Sequence, residues 1–393
     1  MGVTIRQKEK GRGKPWWVFV AHNGKRKSVR VGDKAAAETI ASKLRERLKA
    51  GEFQITDQKK IPTFGEYAQA WLSGYGESNL KYSTWKSYGG ILKNYLKSFN
   101  DKPIDQITRG EIRDLIYEKL KSGKIIKKNG KIEETSIGLA PNTVRNMKAL
   151  ISGIMTHALD DGLINANPVS RLGRLIKSKD RKEDINPLTR EECKKFLDTI
   201  TENYPRYHSF FLCALRTGMR LGELLALEWG DIDFNGEFIE IRRSFTKGRL
   251  TTPKNGKSRR VDMSKQLSET LKALHVERTK EALAKGWGQV PEIVFVNEEG
   301  RRINAFNLRE RVFFKSLMKA NLRRIRIHDM RHTFASLLIQ NNESLAYVKD
   351  QLGHHSIQIT VDTYGHLVPG ANKQAVDRLD DTCLNIDRKQ ECV

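Results

Sequence analysis

Apolar and basic positions interleave from the start of the chain. Trp16-Trp17-Val18-Phe19-Val20 is an apolar, aromatic run. Asn23-Gly24 is a turn signal, and Lys27-Ser28-Val29-Arg30-Val31 alternates after it. This pattern predicts strands within residues 3–33. Lys34 to Ala50 then repeats at helical spacing, with Asp33 placed as N-cap and Gly51 as a stop. A polar stretch over 52–62 separates this small sheet plus helix from the rest of the chain.

Three later segments share one signature. Thr63, Thr108 and Thr189 each stand three residues before a glutamate, Glu66, Glu111 and Glu192. That spacing predicts a capping box at the head of a helix. The first helix carries Phe64, Tyr67, Ala68, Trp71 and Leu72. A second runs through Tyr88, Ile91, Leu92, Tyr95, Leu96 and Phe99. A third holds Ile112, Leu115, Ile116 and Leu120, and a fourth Met147, Ile151, Ile154, Met155 and Leu159. Stripes at this period are core faces. The basic insertion Lys124–Lys131, between helices three and four, is a candidate hairpin. After a charged linker over Leu172–Asn186, the pattern is mainly helical with one embedded sheet. Its expected strands are Phe238–Phe245, Arg249–Lys254 and Ser258–Met263, with Asn255-Gly256 as a two-residue turn. The fold class expected is mainly α with small β elements. The domains expected are 1–55, 61–175 and 183–393.

Composition narrows the partner. Lysine and arginine number 71 against 47 acidic residues, a formal charge of +24. Such an excess points to a polyanion, most often nucleic acid. Residues 1–60 and 61–182 carry most of the excess, so they are the expected grip, with Lys25, Arg26, Lys27 and Arg30 prominent in the first. The second half is left for chemistry. No apolar run approaches the roughly 20 residues of a membrane helix. The N-terminus lacks the apolar core of a signal peptide. The four cysteines, Cys193, Cys213, Cys383 and Cys392, have no C-x-x-C spacing. A cytoplasmic location is the expectation.

Several familiar motifs fail. Gly256-Lys257-Ser258 resembles the end of a phosphate-binding loop, but Thr251 stands where the first glycine belongs and a strand pattern comes next instead of a helix. Asp231 and Asp233 could begin a carboxylate metal site, but no third carboxylate is placed to join them. Another set converges. Thr217-Gly218-Met219-Arg220-Leu221-Gly222-Glu223-Leu224 places an arginine at a packed helix start. Lys254 precedes the Asn-Gly turn. His328-Asp329-Met330-Arg331-His332-Thr333 puts His328 and Arg331 three apart, and Leu352-Gly353-His354 precedes Tyr364 by ten residues.

Taken in order, these five blocks resemble the catalytic domain of the tyrosine recombinases, the phage-integrase family of site-specific DNA recombinases. The helical segment before them is similar in position and size to that family's core-binding domain. The basic N-terminal segment resembles an arm-site-binding domain. The resemblance implies that Tyr364 attacks a DNA phosphodiester, giving a 3′-phosphotyrosine and a free 5′-hydroxyl. It gives Arg220 and Arg331 the role of clamping the phosphate and Lys254 that of general acid. His328 takes an acid/base role, His354 a phosphate hydrogen bond, and Glu223 a buttress. Two neighbours stay open as alternatives, His355 for His354 and Lys257 for Lys254. His332 and His366 are expected to be structural or to support the site residues from behind. No metal, nucleotide or other cofactor is implied. The implied partners are double-stranded DNA with core and arm-type sites, three further protomers in a tetramer, and DNA-bending or excision factors from the host or element. A chromosome-dimer-resolving recombinase is the nearest alternative, and a non-catalytic DNA-binding protein on the same scaffold is the alternative of another class. An apolar stripe at Ala375, Leu379, Cys383 and Ile386 suits a tail helix docked either on its own domain or on a neighbouring protomer.

Overall fold

The computed structural model describes residues 2–9, 11, 13–22, 24–50, 61–128, 131–172, 185–252, 256 and 258–368. Lys254, Lys257 and the tail stripe at 375–386 lie outside the described residues, as does Gly51. The chain divides into two compact units, Met1–Lys177 and Ser178–Val393.

The first unit opens with an antiparallel sheet, β1 (Gly2–Gln7), β2 (Trp16–His22) and β3 (Lys25–Gly32), in that order. Val18 and Val20 are buried against Ala37 and Ala41 of α1 (Lys34–Lys49). Asp33 caps that helix by accepting from the Ala36 N–H at 2.7 Å. The alternation of β2 turns Trp17 and Phe19 to the opposite face of the sheet. Arg6, Trp17 and Arg30 form one cross-strand row there.

The helical part of the unit comprises α2 (Phe64–Trp71), α3 (Glu77–Asn79), α4 (Tyr82–Tyr95), α5 (Arg109–Lys121) and α6 (Pro141–Asp160). Both expected capping boxes form, at Thr63/Glu66 and Thr108/Glu111. The four stripes meet in one core that includes Trp71, Ile91, Ile116, Met147 and Ile154, while Leu159 at the end of the fourth is exposed and stays outside it. The second helix ends earlier than its stripe predicts. It stops at Tyr95, and Phe99 reaches the same core from a 3-10 turn. The basic insertion is a hairpin of β4 (Gly123–Lys128) and β5 (Lys131–Gly138).

The second unit starts with α7 (Arg190–Asn203), behind the Thr189/Glu192 capping box, followed by α8 (His208–Thr217) and α9 (Leu221–Leu224). Then come β6 (Ile232–Asp233), β7 (Phe238–Ile241), β8 (Ser244–Thr246), β9 (Arg249–Thr251) and β10 (Arg259–Asp262). The helices α10 (Lys265–Ala284), α11 (Ala305–Asn307), α12 (Phe314–Lys319), α13 (Asp329–Gln340), α14 (Leu345–Leu352) and α15 (Ile357–Tyr364) complete it. Its main core holds Phe196, Phe210, Phe211 and Phe313 at edge and stacked ring contacts. A smaller core joins Phe334, Ile339, Val348, Leu352 and Tyr364.

The strand expectation needs correcting here. Two sheets replace one, β10-β7-β6 and β8-β9. The segment 238–245 breaks at Arg242-Arg243, because Arg243 is held by Asp231 at 2.7 Å and Glu228 at 2.6 Å. Nor do β9 and β10 pair across Asn255-Gly256. β9 turns back on β8 and β10 pairs with β7. The two-residue turn lies at Lys247-Gly248, whose φ values of 51° and 83° fit a type I′ turn. Lysine lacks the usual signature at the first position, so the sequence pattern hides this turn. The Asp231 metal reading also falls. Its carboxylate is taken by Arg243, and Asp233 accepts from the Asn235 and Gly236 amides. Among the described residues no cluster of three or more potential ligands could hold a metal ion.

Candidate active site

The site grows from two helix ends. Helix α8 stops at Gly218, which takes the left-handed conformation (φ 59°), and α14 stops at Gly353 (φ 65°). A Cβ at Gly218 would sit 2.5 Å from the Phe334 ring, and one at Gly353 2.5 Å from Arg259 Cδ. Both positions therefore require glycine twice over, for backbone angle and for space.

Those helix ends hold Arg331. This guanidinium, 4 % exposed, donates through Nη1 to the Gly218 carbonyl at 2.8 Å and through Nη2 to the Leu352 carbonyl. Carbonyls at helix C-termini lack intrahelical donors and carry partial negative charge. They therefore suit a buried cation. Burial, with Arg220 and Arg259 close by, pushes the Arg331 pKa down to about 9.

Arg220 sits one residue before α9 rather than inside it, in extended conformation. Its N–H donates to Glu223 Oε2 at 2.9 Å and its Nη1 to Glu223 Oε1 at 2.9 Å. Glu223 is buried and also takes both terminal nitrogens of Arg259, at 3.0 and 2.7 Å. Burial works to raise its pKa, but Arg259 and then Arg220 outweigh burial and bring it to about 2. Glu223 is thus the fixed anion around which two guanidiniums are set. Glu223→Ala should destabilise the second unit by about 3–5 kcal/mol, since buried cations lose their partner. Glu223→Gln should lose less, because its amide oxygen still accepts. Chemical denaturation of both variants checks this ordering.

Arg259 is not among the site residues that the sequence motifs mark. It lies on β10 two positions before buried Val261, so alternation aims it inward. A basic residue on a core-facing strand position needs an anion. That signal was available in the sequence.

The histidines separate by environment. His354 is half-buried, with Nδ1 2.9 Å from Thr360 Oγ1, whereas His355 is exposed. Burial and then Arg331, Arg220 and Arg259 push His354 down to about 3. His328, the residue that heads α13, is exposed at its surface, and partial loss of hydration, then His332 and Arg331, bring it to about 4. Both imidazoles are uncharged at neutral pH. His366 is exposed, in the 3-10 turn after α15.

Tyr364 ends α15 and is 1 % exposed. Burial pushes its phenol up to about 12, with Arg331 pulling the other way. Its hydroxyl lies 2.8 Å from His332 Nδ1. The sequence reading makes His332 structural or supporting and gives it no contact with the nucleophile, because the spacing of His328 to Arg331 draws attention away from it. Arg220, Glu223, His328, Arg331, His354 and Tyr364 thus belong to one unit. They are linked by hydrogen bonds or by the charges that shift their pKa values, while Lys254 lies outside the described residues. Lys25, Arg26, Lys27 and Arg30 lie on β3 of the N-terminal sheet and are exposed. Arg220, Arg259 and Arg331 set three guanidiniums against the single carboxylate of Glu223. A cluster charged in this way suits an anion, and the Tyr364 hydroxyl lies within the field of Arg331.

Comparison with known proteins agrees with this chemistry. A model described as Phage integrase family matches residues 186–370, and one described as Phage integrase, N-terminal SAM-like domain, matches 63–120. The ICEBs1 integrase of Bacillus subtilis is 33 % identical over 256 residues, covering 62 % of this chain and 67 % of that protein. A XerC-like tyrosine recombinase of Caldanaerobacter subterraneus is 26 % identical over 340 residues, 81 % of this chain and 83 % of that one. Among solved structures, the Tn1549 transposon integrase in complex with transposon right end DNA superposes with a TM-score of 0.62 at 19 % identity. It covers 82 % of this chain and 99 % of that chain. A lambda integrase tetramer bound to a Holliday junction gives 0.57 at 17 % identity, covering 89 % and 93 %. These two share the fold. A relative one-third identical is matched over two-thirds of its own length, and the family model covers the segment that holds Tyr364, so the chain is a tyrosine recombinase of the phage integrase family.

Proposed function

We propose that the protein cuts and rejoins duplex DNA at specific sites, integrating or excising a mobile element, with Tyr364 as nucleophile. The observation that carries the reading is the placing of Tyr364 beside Arg331, itself within the field of Arg220 and Arg259. A phosphodiester carries one negative charge, and its pentacoordinate transition state about two. Guanidinium forks fixed in advance stabilise that added charge without reorganising. Arg331 and Arg220 hold the non-bridging oxygens, and His328 and His354 donate or accept at the same phosphate. Glu223 and Arg259 keep the forks in place. Lys254, by resemblance, protonates the departing 5′-oxygen. The bond energy is retained in a 3′-phosphotyrosine, so the 5′-hydroxyl of a second strand can reverse the step. A duplex nicked just beyond the cleavage site tests the reading. The short product diffuses away, and the covalent protein–DNA adduct accumulates.

The N-terminal sheet is read as the second grip, on arm-type sites. Lys8 lies 3.8 Å over Trp17 and Arg6 4.3 Å over Phe19, with Arg30 in the same row. That face joins cations to flat rings, which suits a phosphate backbone and groove walls. A tetramer on DNA, with bending or excision factors, is the assembly read from the family resemblance. The lambda integrase fold neighbour forms a tetramer on a Holliday junction. Deleting residues 1–55 should leave cleavage of core-type sites within a few-fold of the intact chain. It should abolish integration between full attachment sites and flatten the salt dependence of DNA binding. An electrophoretic binding series at rising salt, run beside a recombination assay, checks both.

A further inference from the structure

His332 holds the reacting oxygen in a hydrogen bond, and the reaction scheme proposed for Tyr364 gives it no part. It stands on α13 between His328, one turn earlier, and Tyr364 on α15. The His328 and His332 rings are 5.2 Å apart, edge to face. His332 Nδ1 is 2.8 Å from Tyr364 Oη, and the two rings meet with centroids 5.7 Å apart. Geometry comes first in choosing a proton acceptor, and this distance meets it. We infer that His332 is the catalytic base that takes the phenolic proton from Tyr364 as the phosphorus is attacked.

The step balances. The Oη–H bond breaks and an Nδ1–H bond forms, which requires the tautomer protonated at Nε2. The electron pair left on Oη forms the O–P bond, while the P–O5′ bond breaks and the 5′-oxygen takes its proton from the general acid. On resealing, the imidazolium returns its proton to the phenol. A relay site also needs an outlet. His332 lines a pocket of about 160 Å³ shared with Arg323, Arg324, Arg326 and Asp329. Asp329 is tied to Arg326 at 2.9 Å. Other charged or titratable groups around His332 include His328 and Arg331 on its own helix, His354 from the loop after α14, and Tyr364 itself. The need for a base is quantitative. With the phenol pushed up to about 12, roughly one molecule in 10⁵ is ionised at pH 7.

The inference rests on Tyr364 being the nucleophile, so the wild-type adduct is the control. A wild-type chain that forms no adduct overturns that underlying reading. The test uses the full chain on a nicked duplex, following adduct formation in single turnover from pH 6 to 9. His332→Gln and His332→Ala are compared with His328→Gln. Both His332 variants should bind DNA normally and cleave about 10²–10⁴-fold more slowly at pH 7. Their rates should climb nearly tenfold per pH unit, while the wild-type profile is flatter. Added imidazole should restore part of the rate of His332→Ala and none of that of His332→Gln. His328→Gln should slow cleavage without steepening its pH profile. A His332→Gln protein that keeps the wild-type profile overturns the inference. So does a uniform loss at every pH without rescue, or a steepened profile in His328→Gln alone. If His332→Ala fails to fold, the His332→Gln profile decides.

Discussion

Replacing Tyr364 by phenylalanine should leave a folded protein that binds its DNA and never becomes attached to it. The substitution removes one oxygen atom. The ring, which fills the small core with Phe334, Val348 and Leu352, stays. The lost hydrogen bond to His332 costs about 1 kcal/mol of stability. Cleavage, by contrast, loses its nucleophile, and losses of that kind are on the order of 10⁴-fold or more. Denaturing electrophoresis after incubation with a nicked duplex reads the adduct directly. The sequence contains 10 tyrosines, so an adduct that survives the substitution would transfer the role to another of them.

A large effect is expected at Arg331 as well. Arg331→Ala should slow cleavage by about 10²–10³-fold, the usual consequence of losing one fixed donor at developing charge. Arg331→Lys should be little better. A lysine carries the charge, but it cannot reach the Gly218 and Leu352 carbonyls with two nitrogens of one plane and still face a phosphate. Stability should move much less than rate. Two carbonyls lose a donor, yet the repulsion from Arg220 and Arg259 that pushes the Arg331 pKa down is also relieved. Thermal unfolding and single-turnover cleavage, measured on the same variants, separate the two effects. A lysine variant with near wild-type rate would overturn the fork argument.

Local, strongly patterned features were legible in the sequence. The three threonine–glutamate capping boxes formed as spaced, because both partners lie within one turn and need nothing from the rest of the chain. The four helical stripes met in one core for a similar reason. Long-range choices were not legible. The pairing of β10 with β7 is settled by where the core lies, and the Asn255-Gly256 signal is silent on that. The turn at Lys247-Gly248 carries half of the usual signature. In the candidate site, the motifs in their order along the chain marked Arg220, His328, Arg331, His354 and Tyr364, which the fold places in one unit. Arg259 was overlooked although the alternation of β10 beside buried Val261 aims it inward, whereas His332 escaped because it matters through a contact with Tyr364, 32 positions away. Linear spacing carries no trace of such a contact.

The anchoring of Arg331 has a consequence for how this protein can change over generations. Its two acceptors are peptide carbonyls at the ends of α8 and α14. No exchange of side chain deletes a carbonyl, so drift at neighbouring positions cannot disarm the arginine by removing its support. The vulnerable points are the two glycines that shape those ends, where any other residue meets Phe334 or Arg259. The cutting machinery is thereby insulated from most mutations, while the exposed basic strand β3 is free to vary. On the proposed reading of β3 as a grip on DNA, that grip and the strand chemistry can evolve apart.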